Sequence, residues 1–346
     1  MKYSPRPLAH NGSMHEREGA PAAKHGHEHG HEHGHEHGSA HGHDDDDERT
    51  AGRPRLAFVG AGPVGTTLAV GLARAGWQVA AAASRSEGRR QQLARLLPGI
   101  RLFAEPYAVL DEAELIFLTV PDDRIAEVAT ELQLYSGQAL VHTSGALPAE
   151  VLRPASAAGT SLGSFHPLVA FADLERALTD LAGATVALEG DETLLPVLAE
   201  VAEALGARPV RLPAGGKPAY HAAAMLAAGG LVGLLDAIAE LGRAAGLDEA
   251  AALSVYLPLA RQTLANAEHL GVDASLTGPF VRGDVGTVRR HLQALRELAP
   301  AALPLYVAIA RRELAIAARR AGDAPAGDDS HDARRADLER LLEQAG

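Results

Sequence analysis

The sequence predicts an α/β domain built on a parallel sheet, followed by an all-helical domain and preceded by an arm that does not fold. Three observations carry this. Short apolar strands alternate with helical stretches from Pro54 to about residue 212, strand signals nearly vanish from Pro218 onward, and residues 1–50 contain almost no Leu, Ile or Val. Alternation of strand and helix is the pattern of a doubly wound sheet. The boundaries it sets are 1–53 for a disordered arm, 54–212 for the α/β domain and 213–346 for the helical domain.

The arm comes first. It holds 10 acidic and 5 basic groups and offers no periodic apolar face, so nothing in it repays the entropy of ordering. Nine of the 17 histidines (His25, His27, His29, His31, His33, His35, His37, His41 and His43) fall in an alternating tract that ends in Asp44–Asp47. Neutral imidazoles at that density suit Ni²⁺, Zn²⁺, Co²⁺ or Cu²⁺. One reading of the chain is therefore a metal-binding or metal-buffering protein with a nucleotide-sensing scaffold; a low-complexity expansion is the other reading of the tract.

In the α/β part, Arg55–Val59 is a short apolar strand, Gly60-x-Gly62-x-x-Gly65 a turn, and Thr66–Ala75 a helix that stops at Gly76. A second strand, Gln78–Ala83, follows at once. Further strands are expected at Leu115–Val120, Ala139–Thr143, Ser161–Phe165 and Ala184–Leu188. The helical part reads as a long Ala- and Leu-rich stretch over 219–245, then helices near 249–270, 284–298 and 301–320, with Pro258, Pro300 and Pro304 bounding or kinking them. A short amphipathic helix over 333–344 closes the chain.

Composition limits the chemistry. Only 13 of 346 residues are aromatic, yet 47% are apolar, so the core is built from Ala, Leu and Val. With no Cys, disulfides, thiolate metal sites and a cysteine nucleophile are excluded. The net charge of -12 argues against a general nucleic-acid binder. No apolar run approaches the roughly 20 residues of a membrane span, and the first 20 residues lack a signal-type stretch, which reads as a cytoplasmic protein without a membrane partner.

The glycine turn follows a strand and opens a helix, the context in which this pattern cradles a pyrophosphate. Gly60 allows the tight turn, Gly62 lets the diphosphate approach, and Gly65 lets the helix lie close to the strand. Pro63 suits the first helical turn, and the N–H groups there, with Val64, face the anion. At the end of the second strand, where an Asp or Glu would hold a ribose hydroxyl, the chain reads Ser84-Arg85-Ser86, with Arg89 and Arg90 behind. A guanidinium and hydroxyls fit a 2′-phosphate, so NADP(H) is expected over NAD(H). Val120, Pro121 and Ser144 close parallel strands at the edge where ligands collect, and are expected to line the cofactor.

Three segments set polar groups in apolar surroundings: Ser164–Leu168 with His166, Lys217–His221, and Thr277–Asp284 with Arg282. A cleft histidine protonates a carbonyl oxygen, and a lysine or arginine holds a carboxylate. His166, His221, Lys217 and Arg282 are therefore the catalytic candidates. Asp284 reads as the N-cap of the helix after it.

The order of the glycine turn, Ser84-Arg85-Ser86, Val141–Gly145, Gly163–Leu168, Tyr220–Ala224 and Leu276–Asp284 resembles the family that joins a Rossmann-like domain to domain of unknown function 2520, over about residues 54–320. That family is similar to pyrroline-5-carboxylate reductases, β-hydroxyacid dehydrogenases and ketopantoate reductases. The resemblance implies NADPH-dependent reduction of a small 2-oxo acid, ketopantoate-like, or of an imine, in a cleft between the domains of a homodimer. Two departures stand out. Where β-hydroxyacid dehydrogenases place a lysine four residues before an asparagine on one helix face, the chain has Lys217-Pro-Ala-Tyr-His221, and the proline predicts Lys217 just outside the helix. Gly229-Gly230 stands where the family's asparagine is expected.

Overall fold

The computed structural model describes residues 52–322 and 329–346. The nine arm histidines, with the disorder and metal affinity expected of them, lie outside the described residues. Among the described residues no cluster of three or more metal-ligating side chains is present.

Eight strands form one sheet: β1 Leu56–Val59, β2 Val79–Ala83, β3 Arg101–Phe103, β4 Leu115–Leu118, β5 Ala139–His142, β6 Ser161–Pro167, β7 Thr185–Gly190 and β8 Arg208–Arg211. Their order is β3-β2-β1-β4-β5-β6-β7-β8, parallel throughout except that β7 runs antiparallel to β6. All four residues of β1 are buried, as a central parallel strand covered on both faces requires. The period of two then divides them: Leu56 and Phe58 enter one core layer, Ala57 and Val59 the other. Phe58 stacks on Phe117 at 5.2 Å, and Phe117 meets Phe165 edge-on at 5.6 Å, so three of the six phenylalanines form one line across the sheet.

The layers are filled by α1 (Pro63–Arg74), α2 (Glu87–Leu96), α3 (Asp122–Glu131), α4 (Leu174–Leu181) and α5 (Leu195–Ala204). Register matters more for function than the helices do. Val59 is level with Ala83 and Leu118, and His142 is level with Ser164. The segments after β1, β2, β4 and β5 therefore leave the sheet along one edge, where ligands of open α/β sheets collect.

Beyond β8 the chain is helical. α6 (Lys217–Met225) passes through one π-helical turn (Leu226–Gly230) into α7 (Leu231–Ala244). α8 (Glu249–Ser254), α9 (Leu257–Leu270), α10 (Val272–Ser275), α11 (Pro279–Arg282), α12 (Val285–Leu298), α13 (Leu303–Gly322) and α14 (Asp329–Glu343) follow. The expected 249–270 helix is two helices, the second starting with Pro258 in its first turn. Pro304 likewise sits in the first turn of α13. Phe280, Val288, Leu292, Val307, Leu314 and Leu338 form a separate small core for this part. Asp284 caps α12, its Oδ1 accepting from Thr287 N at 3.0 Å.

Two expectations are corrected here. Lys217 is the first residue of α6 rather than outside it, because Pro218 occupies the first turn, where its missing N–H leaves no carbonyl unpaired. The stretch Lys217–Ala244 is also long and apolar enough to cross a membrane, with a mean hydropathy of 1.9 in its apolar window, against the reading that no such run exists. Its first turn packs into the site described next.

Candidate functional site

The glycine turn is shaped by its own neighbours. Gly60 has φ +113°, and a Cβ there would lie 2.6 Å from Thr119 O. A Cβ at Gly65 would lie 2.1 Å from Gly60 O, so β1 and α1 touch backbone to backbone. Gly62 differs. Its missing Cβ would meet nothing closer than the Arg89 guanidinium at 3.8 Å, so the space beside it is left open by the protein. α1 starts here with no side-chain cap, leaving its first N–H groups and dipole for an anion.

A cavity of about 340 Å³ runs from this turn along the sheet edge, lined among others by Gly60, Gly62, Ser84, Arg85, Arg89, Val120 and Pro121. Pro63 lies just outside it, beside a smaller hollow, and Val64 packs on the core, so these two contribute through the helix start. Arg90 turns inward and donates to Ser84 O at 2.5 Å and Arg85 O at 3.2 Å, holding the loop after β2. Arg85 and Arg89 remain exposed, with no carboxylate partner among the described residues. Arg89 was visible in the sequence only as one of two adjacent arginines; the cap by Ser86, whose Oγ accepts from Arg89 N, fixes which of them faces the cavity.

Ser144 is corrected as a cofactor-lining residue. It is buried, and its hydroxyl donates to Asp122 Oδ2 at 2.6 Å while accepting from Ala146 N and Leu147 N. Its backbone is gripped too. Ser144 N donates to His142 Nδ1 at 3.1 Å, and Ser144 O accepts from Lys217 Nζ at 2.6 Å. Since His142 Nδ1 accepts, its proton is on Nε2, which donates to Pro148 O at 3.1 Å. Burial, then the Lys217 charge, pushes His142 down to about 3, so it is a neutral structural residue.

The peptide after Ser144 ends in Gly145, and two histidines converge on it. A Cβ at Gly145 would lie 2.3 Å from His221 Nδ1 and 2.7 Å from His166 Nε2. The rings meet edge-on at 5.7 Å. His166 Nδ1 bonds Tyr220 Oη at 3.0 Å, whereas His221 Nδ1 is buried without a partner. Burial raises Tyr220 to about 12, so at neutral pH it keeps its proton. Burial, then Lys217, lowers His166 to about 4, so the imidazole is neutral. A Tyr220 hydroxyl that donates its proton to Nδ1 would leave the imidazole proton on Nε2. His166, Tyr220 and His221 also border a cavity of about 550 Å³ whose other walls are apolar, among them Leu168, Val169, Ala224 and Ala228. Asp122, which holds Ser144, directly follows Val120 and Pro121 in the first cavity, so one loop joins both.

The two expected carboxylate-binding cations are not there. Lys217 is 1% exposed, its ammonium on Ser144 O and Ser164 Oγ. Arg282, exposed at the end of α11, belongs to a helix packed on α12 and α13 and lines neither cavity. Gly145 and Tyr220 stood in the sequence only inside longer motifs, Val141–Gly145 and Lys217–His221, with no role assigned to either.

Fold and site together define a Rossmann-like domain with an appended helical domain. The model of the Rossmann-like domain matches residues 41–167, and that of the domain of unknown function (DUF2520) matches residues 184–313. The protein TM1727 from Thermotoga maritima is 31% identical over 77% of this chain and 99% of its own, with a TM-score of 0.60. The chain belongs to the family that joins these two domains. A Bacteroides fragilis protein described as a candidate NADP oxidoreductase is 24% identical over 76% of this chain and 98% of its own, with a TM-score of 0.63. A 1-pyrroline-5-carboxylate reductase from Streptococcus pyogenes, 16% identical over 77% and 98%, has a TM-score of 0.54. These two share the fold. No curated protein matches the sequence.

Proposed function

We propose that the protein is an NADPH-dependent oxidoreductase that reduces a small C=O or C=N compound, of which a ketopantoate-like 2-oxo acid and a cyclic imine are the first to try. The observation that carries the reading is the convergence of His166 Nε2 and His221 Nδ1 over Gly145, one loop away from a glycine-cradled cavity. It is supported by the neighbours just named, one described as a candidate NADP oxidoreductase and one as a 1-pyrroline-5-carboxylate reductase. When bound, NADPH supplies hydride to the substrate carbon.

The residues of the chain supply the proton. The Nε2 proton of His166 passes to the substrate oxygen or nitrogen while the Tyr220 proton moves onto Nδ1, so the imidazole stays neutral and a tyrosinate remains. That tyrosinate regains its proton from water. His221, whose Nδ1 is buried in the same space without a partner, orients the substrate's polar group. Screening NADPH oxidation against ketopantoate, pyrroline-5-carboxylate and other small 2-oxo acids tests the reading; protein that neither oxidises nor binds NADPH, seen by its fluorescence, sinks it.

Preference for the phosphorylated dinucleotide rests on Arg85 and Arg89. Replacing either by alanine is expected to weaken NADPH binding by on the order of tenfold and leave NADH within about twofold. Equal weakening of both cofactors in a fluorescence titration would remove these residues from the 2′-phosphate.

A homodimer belongs to the same proposal. No residue in the apolar window of Lys217–Ala244 is buried, and Met225, Leu226 and Val232 are 56%, 74% and 67% exposed. A second copy would cover that face and the open side of the 550 Å³ cavity. Light scattering is expected to give twice the chain mass, and Leu226→Asp with Val232→Asp the chain mass. A native monomer at micromolar concentration would contradict it.

A further inference from the structure

Lys217 is the one lysine among the described residues, and the fold takes it out of water. A lone buried ammonium is costly, and such a group persists only where hydrogen bonds hold it. Its Nζ donates to Ser144 O at 2.6 Å and to Ser164 Oγ, so one cation ties the end of β5, the middle of β6 and the first turn of α6. No carboxylate of the described residues comes within ion-pair distance of it. Asp122 and Glu189 act on it only at longer range, and Glu189 Oε2 is itself buried and unpartnered.

Two consequences meet at His166. Ser144 O belongs to the peptide bond leading into Gly145, the surface on which His166 and His221 converge. With Ser144 N on His142 and Ser144 Oγ on Asp122, the ammonium supplies the last restraint that fixes this peptide plane. Its charge, with no carboxylate in ion-pair contact, also opposes a second positive charge nearby.

We propose that Lys217 is a positioning residue for the proton donor: through Ser144 O and Ser164 Oγ it holds the Ser144–Gly145 peptide beneath the histidine pair, and with it the place of His166. The charged and titratable groups around His166 are few. They are Lys217, Tyr220 and His221 on α6, His142 on β5 and Asp122 at the start of α3, with Glu189 on β7 facing Lys217. Lys217 is the one lysine or arginine among them, and burial lowers it to about 8. Replacing it by Met keeps the stem and removes the charge, and replacing it by Arg keeps the charge.

The importance of this for catalysis rests on the reductase reading, but its test needs no substrate, so the two fail separately. Histidine ring signals of the full chain are followed by NMR as pH changes. In Lys217→Met, His166 is expected to titrate about one unit higher, a tenfold shift in its protonation equilibrium, while Lys217→Arg keeps the native value. A folded Lys217→Met with native His166 titration overturns the proposal, as does an arginine variant shifted as far as the methionine one. Should Lys217→Met not fold, the native chain decides. Its His166 signal is expected to show a second, smaller inflection above neutral pH as Lys217 loses its charge, and a curve without one up to the pH at which the chain unfolds overturns the proposal.

Discussion

Replacing His166 with alanine is expected to lower kcat by on the order of 10²- to 10⁴-fold while leaving NADPH affinity within about twofold. The split follows from place. His166 stands on β6, bonded to Tyr220 and facing Gly145, and it lines the 550 Å³ cavity but not the one beside the glycine turn. Losing the imidazole removes the Nε2 proton and breaks the path from Tyr220, and water in the vacated space would deliver a proton without orientation. Tyr220→Phe removes only the distant end of that path. It is expected to lower kcat by a smaller factor, about tenfold, and to leave the histidine in place. His221→Ala is expected to raise KM more than it lowers kcat, since in the proposed path its ring orients the substrate and His166 donates. Steady-state NADPH oxidation on a substrate from the screen reads all three. Full activity in His166→Ala would show that the proton comes from elsewhere; equal losses in kcat for His166→Ala and His221→Ala would exchange or merge their roles.

The fold was legible where burial is two-sided. β1, β4 and β5 are continuous apolar runs because both faces are covered, and the turn after β1 needs glycine for reasons of backbone contact alone. β3 and β8 escaped notice because they lie at the sheet's edges: Arg101–Phe103 is three residues long, and Arg208–Arg211 alternates charge with Pro209 and Val210 while remaining largely exposed. The site was legible by residue type and not by role. His166 and His221 stood out as polar groups in apolar segments, yet a lysine looks the same in sequence whether it meets substrate or is buried under a peptide. Lys217 and Ser144 are joined by a contact between distant parts of the chain, and neither spacing nor composition reports it. The long helix is the opposite case. Its Ala- and Leu-rich character was plain and its full apolar length was not, and the sequence does not distinguish a face covered by its own chain from one left open, as here.

Gly145→Ala is expected to cost at least about 100-fold in kcat with little loss of folding, and it separates geometry from chemistry because it removes no functional group. The added methyl carbon would lie 2.3 Å from His221 Nδ1 and 2.7 and 2.8 Å from His166 Nε2 and Cε1. All three are side-chain atoms, so the rings move and the backbone stays. The contrast is Gly65, where a methyl would meet Gly60 O at 2.1 Å and α1 itself would have to leave the sheet. Gly145 also lacks the positive φ that would make any side chain strained there. The alanine chain should therefore unfold at nearly the native temperature and bind NADPH as before, and only the convergence of the two nitrogens should be lost. The displaced His166 cannot keep both its bond to Tyr220 and its place over the peptide, so its ring signals should titrate away from the native value. Calorimetry, cofactor fluorescence and turnover on one preparation distinguish the outcomes. Native turnover in a folded Gly145→Ala would mean that the reacting atoms lie elsewhere than between these two histidines, and with it would fall the proton path drawn from Tyr220.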